Sequence, residues 1–248
     1  MAISDKIVLN SLSSIRGIED EFTRALASTM TKLERNLTPL LDTYRILPAV
    51  DTALARQELE AILIESGYYE TTGKLLNEGY QRAIDEAQGL YIQSVGENLT
   101  FSEASLERLN ALKKLDLGEY SKFADSFNTT ITRSLIDINF GAIDKNTAIK
   151  ILQSNVDNIG RYAGTWVTTG LSSIYRESST LMAIDFGMTK FEYVGPLDGL
   201  TRLFCRNIRS GKRVHTIAEI NAMDNGQGLP VQQFGGGYNC RHQWIGVS

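Results

Sequence analysis

From Ser4 to about Phe186 only two prolines, Pro39 and Pro48, interrupt a chain in which apolar residues return every three or four positions. That spacing puts them on one face of an α-helix and is incompatible with the two-residue period of a strand. Leu9, Leu12, Ile15, Ile18, Phe22, Leu26 and Met30 form the first stripe. Proline lacks the N–H and its ring clashes with the preceding turn, so Pro39 is expected to kink this helix and Pro48 to stop it. Asp51 is placed to cap a second segment carrying Leu54, Leu59, Ile62 and Leu63, and after a break at Gly67 the pattern resumes with Leu75, Leu76, Tyr80 and Ile84. Thr100 and Glu103 have the spacing of a capping box ahead of Leu106, Leu109 and Leu112, with Gly118 expected to end or bend that helix. Two further helices are expected, Tyr120 to Phe140 and Lys145 to about Phe186, the latter capped by Asp144. Its stripe of Ile159, Tyr162, Ala163, Trp166, Val167, Leu171, Ile174 and Tyr175 is broad enough to demand helical partners.

At Gly187 the pattern changes. Glycine becomes frequent, the helical period fades, and Phe191 and Tyr193 alternate with Glu192 between Lys190 and Val194 as in a short strand. After the Gly195-Pro196 turn, Leu200 to Ile208 reads as a helix and Lys212 to His215 as a strand. Thr216 and Glu219 again have capping-box spacing, for a small helix ending around Asn225-Gly226. The glycine run Gly235 to Gly237 leads into a last strand, Arg241 to Val247. The fold class expected is therefore α+β: a long, mostly helical region over residues 1–187, then a small α+β module with a short β-sheet over residues 188–248.

A hydrophobic content of 42% with 22% charged residues belongs to a folded chain and excludes the disordered class. No stretch reaches the roughly 20 apolar residues of a membrane span, and Met1 is not followed by a signal-peptide core, so the expectation is a chain made in the cytoplasm without a membrane partner. The net charge of −4 is uneven: from Pro196 onward six Lys or Arg face three Asp or Glu, leaving the first 195 residues near −7. Asp198, Arg202, Arg206, Lys212, Arg213 and Arg241 are thus candidates either for an ion-paired network or for phosphate contacts. Phosphate-loop, dinucleotide, H-E-x-x-H and G-x-S-x-G patterns are absent, which removes the usual signals of nucleotide-dependent enzymes and hydrolases.

All cysteine and histidine in the chain falls between positions 205 and 242: Cys205, His215, Cys240 and His242. Two thiols and two imidazoles match a tetrahedral zinc site in number and type, but C-x9-H-x24-C-x-H lacks the tight pairs of common zinc motifs. On a strand, Cys240 and His242 project to one face, whereas Cys205 and His215 depend on the fold to bring them near. A zinc site, a Cys205–Cys240 disulfide and two buried thiols acting as small hydrophobes all remain open.

In the tail, Tyr193-Val194-Gly195-Pro196-Leu197-Asp198 is followed by Thr201-Arg202-Leu203-Phe204-Cys205, then Gly211-Lys212, and finally Gly236-Gly237-Tyr238-Asn239-Cys240-Arg241-His242-Gln243-Trp244. This order of residues resembles the C-terminal module of the phage Mu F-like minor head proteins. Asp198, Arg202, Cys205, Asn239, Cys240, Arg241 and His242 are the motif positions carried over. The likeness spans about residues 188–247. Other members close with Cys-x-Cys where this chain has Cys240 and His242, and this chain has no second cysteine near Cys205, so the resemblance does not imply a metal or another cofactor.

What it implies is a structural virion component of a tailed bacteriophage, present in several copies or as an oligomer in the head near the portal. Its expected partners are the portal protein, the major capsid protein or both, with packaged DNA as a further contact, and its expected work is head morphogenesis and genome packaging or delivery. No catalytic residues are expected. The competing reading is a small nuclease or other nucleic-acid-processing enzyme using the C-terminal Cys/His/Arg cluster, with His215, His242 and Arg241 as acid, base and phosphate clamp.

Overall fold

In a computed structural model, residues 5–95, 99–211 and 214–247 are described. Five long helices come first: α1 (Asp5–Ile46), α2 (Thr52–Ser66), α3 (Lys74–Val95), α4 (Glu103–Asn139) and α5 (Lys145–Asp185). The module that follows runs β1 (Lys190–Val194), α6 (Leu203–Gly211), β2 (Val214–His215), α7 (Ile217–Asn221), α8 (Val231–Phe234) and β3 (Gln243–Val247). A helical region followed by a small α+β module is what the periodicities indicate.

Local signals set most helix ends. The Asp51 carboxylate accepts from the Ala53 and Leu54 amides at the start of α2, and Gly67 closes it at φ 88°, a left-handed conformation that suits glycine. The Asp144 carboxylate accepts from the Thr147 amide, and Thr216 with Glu219 completes the capping box of α7.

Several expectations need correction. Helix α4 runs through Gly118 instead of ending there, because one glycine costs a long packed helix only about 1 kcal/mol, while α1 includes Pro39 and ends at Ile46, ahead of Pro48. The cap ahead of α4 is Ser102, whose hydroxyl accepts from the Ser105 amide, rather than Thr100. In the first turns of α1 the buried positions are Val8 and Ser11, not Leu9, which is exposed; the stripe is correct from Ile15 onward. Tyr162 of α5 is exposed as well. Helix α7 ends at Asn221, short of Asn225-Gly226.

Compactness does not divide the chain at residue 187. One unit comprises Met1–Asp20, Asn77–Asp116 and Val167–Ser248, so the α+β module shares its core with helical segments; the other comprises Glu21–Leu76 and Leu117–Trp166. In the second unit Tyr68 and Tyr120 stack with ring centroids 4.7 Å apart, Phe22 meets Tyr120 edge-on, and the Tyr68 hydroxyl donates to the Tyr120 carbonyl. Leu33, Leu37, Leu41, Leu59, Leu63 and Leu135 are fully buried there.

In the first unit the sheet has the order β2-β1-β3, antiparallel throughout. The register pairs Phe191 with His215 and Tyr193 with Trp244, so these four rings share one face. The C-terminal part of α5 packs on this sheet, and Tyr91 of α3 ties the two by accepting from the Gly246 amide and from Ser179 Oγ. Between Thr169 and Ala183 every residue of α5 except Ser172 is buried, including Ser173, Arg176, Glu177, Ser178, Ser179 and Thr180. No helix among the described residues is long and apolar enough to cross a membrane.

Candidate functional site

A buried arginine on α5 organises the site. Arg176 is 2% exposed and its planar guanidinium donates to three backbone carbonyls: Nε to His242 (2.6 Å), Nη1 to Gln233 (3.2 Å) and Nη2 to Cys240. Three acceptors on one rigid fork fix α8 and the approach to β3 against α5. The Nε1 of Trp244 donates to the Val231 carbonyl, tying the same two segments from the sheet side.

Next to Arg176 on α5, Glu177 pairs with Arg108 at 2.7 Å and accepts from Gln232 Nε2 at 3.4 Å. Burial nevertheless raises its carboxyl above the ordinary glutamate value, against the lowering effect of Arg108 and Gln232. Glu19 is raised for the same reason, with Ser172 and Arg176 opposing. A carboxyl that holds its proton more tightly folded than unfolded stabilises relatively at acid pH and loses that advantage as pH rises from the ordinary glutamate range through the raised value. Urea unfolding measured across that window should show Glu177→Gln with a shallower fall in stability than the unsubstituted chain; equal slopes would refute the assignment.

The thiols and His242 meet around Tyr193. Helix α6 supplies Cys205, the turn before β3 supplies Cys240 and His242, and the two Sγ atoms are 3.7 Å apart. The Tyr193 hydroxyl lies 3.5 Å from Cys205 Sγ and 3.3 Å from Cys240 Sγ, and its ring stacks on His242 with centroids 5.2 Å apart. Cys205, Cys240 and His242 are all buried, and their ligand atoms lie within 4.8 Å of one another.

The glycine run wraps this cluster. Gly235 and Gly237 adopt positive φ, and the Gly236 amide donates to Cys240 Sγ at 3.1 Å, where a Cβ on Gly236 would collide with Cys205 Sγ. The hydrogen bond from Cys205, with His242 and the charge of Arg176, pulls the Cys240 thiol below the usual range, while Cys205, hydrogen-bonded to Cys240 and buried, is pushed up.

The remaining motif residues lock the periphery. Arg241 grips Asp198 with two hydrogen bonds of 2.6 and 2.5 Å, which holds the Asp198 carboxyl well below the usual range. Arg202 donates to the Gly236 carbonyl, and Arg206 donates to the carbonyls of Asp198 and Thr201. Asn239, at φ 55°, joins Thr168 and Thr169 of α5 through its side chain and amide. These arginines therefore serve the internal network rather than a free phosphate surface; Lys212 and Arg213, the first half of the strand expected there, lie outside the described residues, and Val214–His215 forms β2.

His215 is not brought to the cluster. It is buried on β2, with its ring edge-on to Trp244 at 5.5 Å. Beside the cluster, a cavity of about 210 Å³ is lined by Leu200, Thr201, Arg202 and Asn239 together with Cys205, Cys240, Arg241 and His242. Sequence reasoning identified the cysteines, His242, Asp198 and Arg241 but missed Arg176 and Glu177. Their signal is a charged pair inside the small-residue run Ser172-Ser173-Ile174-Tyr175-Arg176-Glu177-Ser178-Ser179-Thr180, where small side chains let neighbouring backbones close around the charges. Comparison of the chain with protein families, curated proteins and solved structures gives no match in any of the three.

Proposed function

We propose that this chain is a structural minor head protein of a tailed bacteriophage, associated with the portal or inner capsid and acting in head morphogenesis and genome packaging or delivery. The observation that carries the reading is the ordered tail motif, whose members from Asp198 to His242 lock onto one another and onto α5 as a single scaffold. A motif used this way maintains the shape of a docking module. Beside it Leu197, Leu200 and Leu203 are exposed, at 56, 81 and 73%, an apolar group suited to a partner surface on the portal or capsid. The nuclease reading is weaker, because it needs His242, His215 and Arg241 to meet one phosphate, whereas both imidazoles are buried and Arg241 is engaged by Asp198.

Deletion of the gene in a phage that encodes this chain tests the proposal. The expected result is heads that form poorly, package poorly or fail to deliver DNA, with rescue by the chain supplied in trans. Normal yields of infectious particles without the chain would contradict it.

A further inference from the structure

We propose that Cys205, Cys240 and His242 form a zinc site, with two thiolates and one imidazole as protein ligands and a fourth position open to water from the adjoining cavity. In tetrahedral zinc thiolate centres the Zn–S bonds of about 2.3 Å set the two sulfurs roughly 3.8 Å apart, and here Cys205 Sγ and Cys240 Sγ are 3.7 Å apart. His242 brings a ring nitrogen within 4.8 Å of both sulfurs, close enough for small side-chain shifts to close the coordination sphere.

Three further observations separate this arrangement from two thiols used as apolar filler. His242 is 2% exposed, yet its Nε2 has no hydrogen-bond partner among the described residues, a costly state that a metal ion would relieve. Its ring is held in place by stacking on Tyr193 and by Gly195, where a Cβ would strike the imidazole. The sulfurs are supplied with groups that stabilise thiolate: the Gly236 amide on Cys240, the Tyr193 hydroxyl against both, and the buried charge of Arg176 nearby. Apolar filler needs none of these.

The fourth position follows from the surroundings. Cys205, Cys240 and His242 all contribute to the wall of the 210 Å³ cavity, which also carries the Thr201 and Asn239 side chains and is large enough for several waters. Three protein ligands plus water is the open form of zinc coordination. Binding replaces the thiol protons of Cys205 and Cys240 with the ion, and the displaced protons pass to solvent. The ion would join α6 to the segment entering β3.

The test uses the full-length chain, without a histidine tag, purified under reducing conditions in the absence of chelator. Elemental analysis by mass spectrometry should find about one zinc per chain. Cys240→Ser and His242→Ala should each lower bound zinc at least about tenfold, whereas His215→Ala should retain it. Should the ligand variants fail to fold, the unsubstituted chain decides the matter alone. Stripped of zinc and titrated with Co²⁺, it should develop thiolate-to-cobalt charge transfer and the intense visible bands of tetrahedral coordination, and both thiols should become protected from a thiol reagent. Reduced, metal-free thiols with no such cobalt spectrum would overturn the proposal, as would a Cys205–Cys240 disulfide in the isolated chain or zinc lost on His215→Ala.

Discussion

Arg176→Met should lower the unfolding free energy by about 3 kcal/mol or more, one of the largest losses expected for any single substitution in the C-terminal module. Methionine fills much of the same volume, so the loss reports hydrogen bonding rather than a cavity. Without the guanidinium, the carbonyls of His242, Gln233 and Cys240 lose their common donor in the interior, and each unsatisfied buried acceptor costs on the order of 1–3 kcal/mol. Arg176→Lys retains the charge but has no planar fork, and should fall much nearer to Met than to the unsubstituted chain. Urea unfolding followed by Trp244 fluorescence in a Trp166→Phe background reads the effect, since those are the two tryptophans of the chain. A change below about 0.5 kcal/mol for Arg176→Met, the size of an ordinary surface substitution, would show that the carbonyl fork does not hold the module.

Trp244→Ala should be of similar size, about 3–5 kcal/mol, for a different reason. The indole is wholly buried, its ring centroid 4.5 Å from that of Tyr193 and 5.5 Å from that of His215, and its Nε1 satisfies the Val231 carbonyl at 3.2 Å. Removing it opens a large cavity against the face of the sheet beside Tyr193 and His215 and orphans an acceptor. Trp244→Phe restores most of the volume and should recover the greater part of the loss, leaving about 1–2 kcal/mol for the unpaired carbonyl. Far-UV circular dichroism of the urea transition measures both. Equal stability of the Ala and Phe variants would mean that the site collapses around the missing ring and that the aromatic cluster is not the core of the module.

The helices of this protein were legible because their signals are local. Asp51, Gly67, Asp144 and Thr216 each end or begin a helix through bonds to residues two to four positions away, and the stripe from Ile15 to Met30 repeats at the helical period. The strands at Lys190 and Gln243 announced themselves through alternation within five residues. Convergence of Cys205 with Cys240 and His242 was open from spacing alone, since it depends on α6 folding back over Tyr193; the glycine run that encloses the sulfurs read only as a lead into the last strand.

What stayed hidden was the buried polar turn of α5. Ser173 and the run Arg176 to Thr180 are polar all round the helix, and hydrophobic periodicity gives no sign that such a turn is buried against polar partners. The partners lie far along the chain: Arg108 for Glu177, and the carbonyls of residues 233, 240 and 242 for Arg176. The division into compact units was hidden for the same reason. Residues 188–248 look separable by composition, yet their sheet is completed by α5 and by Tyr91 of α3, so the unit crosses the compositional boundary at Gly187.

The most direct test of the functional account is to purify proheads and intact particles of a phage that encodes this chain and to measure its copy number against that of the portal by quantitative mass spectrometry, with cryo-electron microscopy to locate it. The account predicts a low copy number in fixed proportion to the portal, with density at the portal or the inner capsid surface. Absence of the chain from both proheads and mature particles would contradict it.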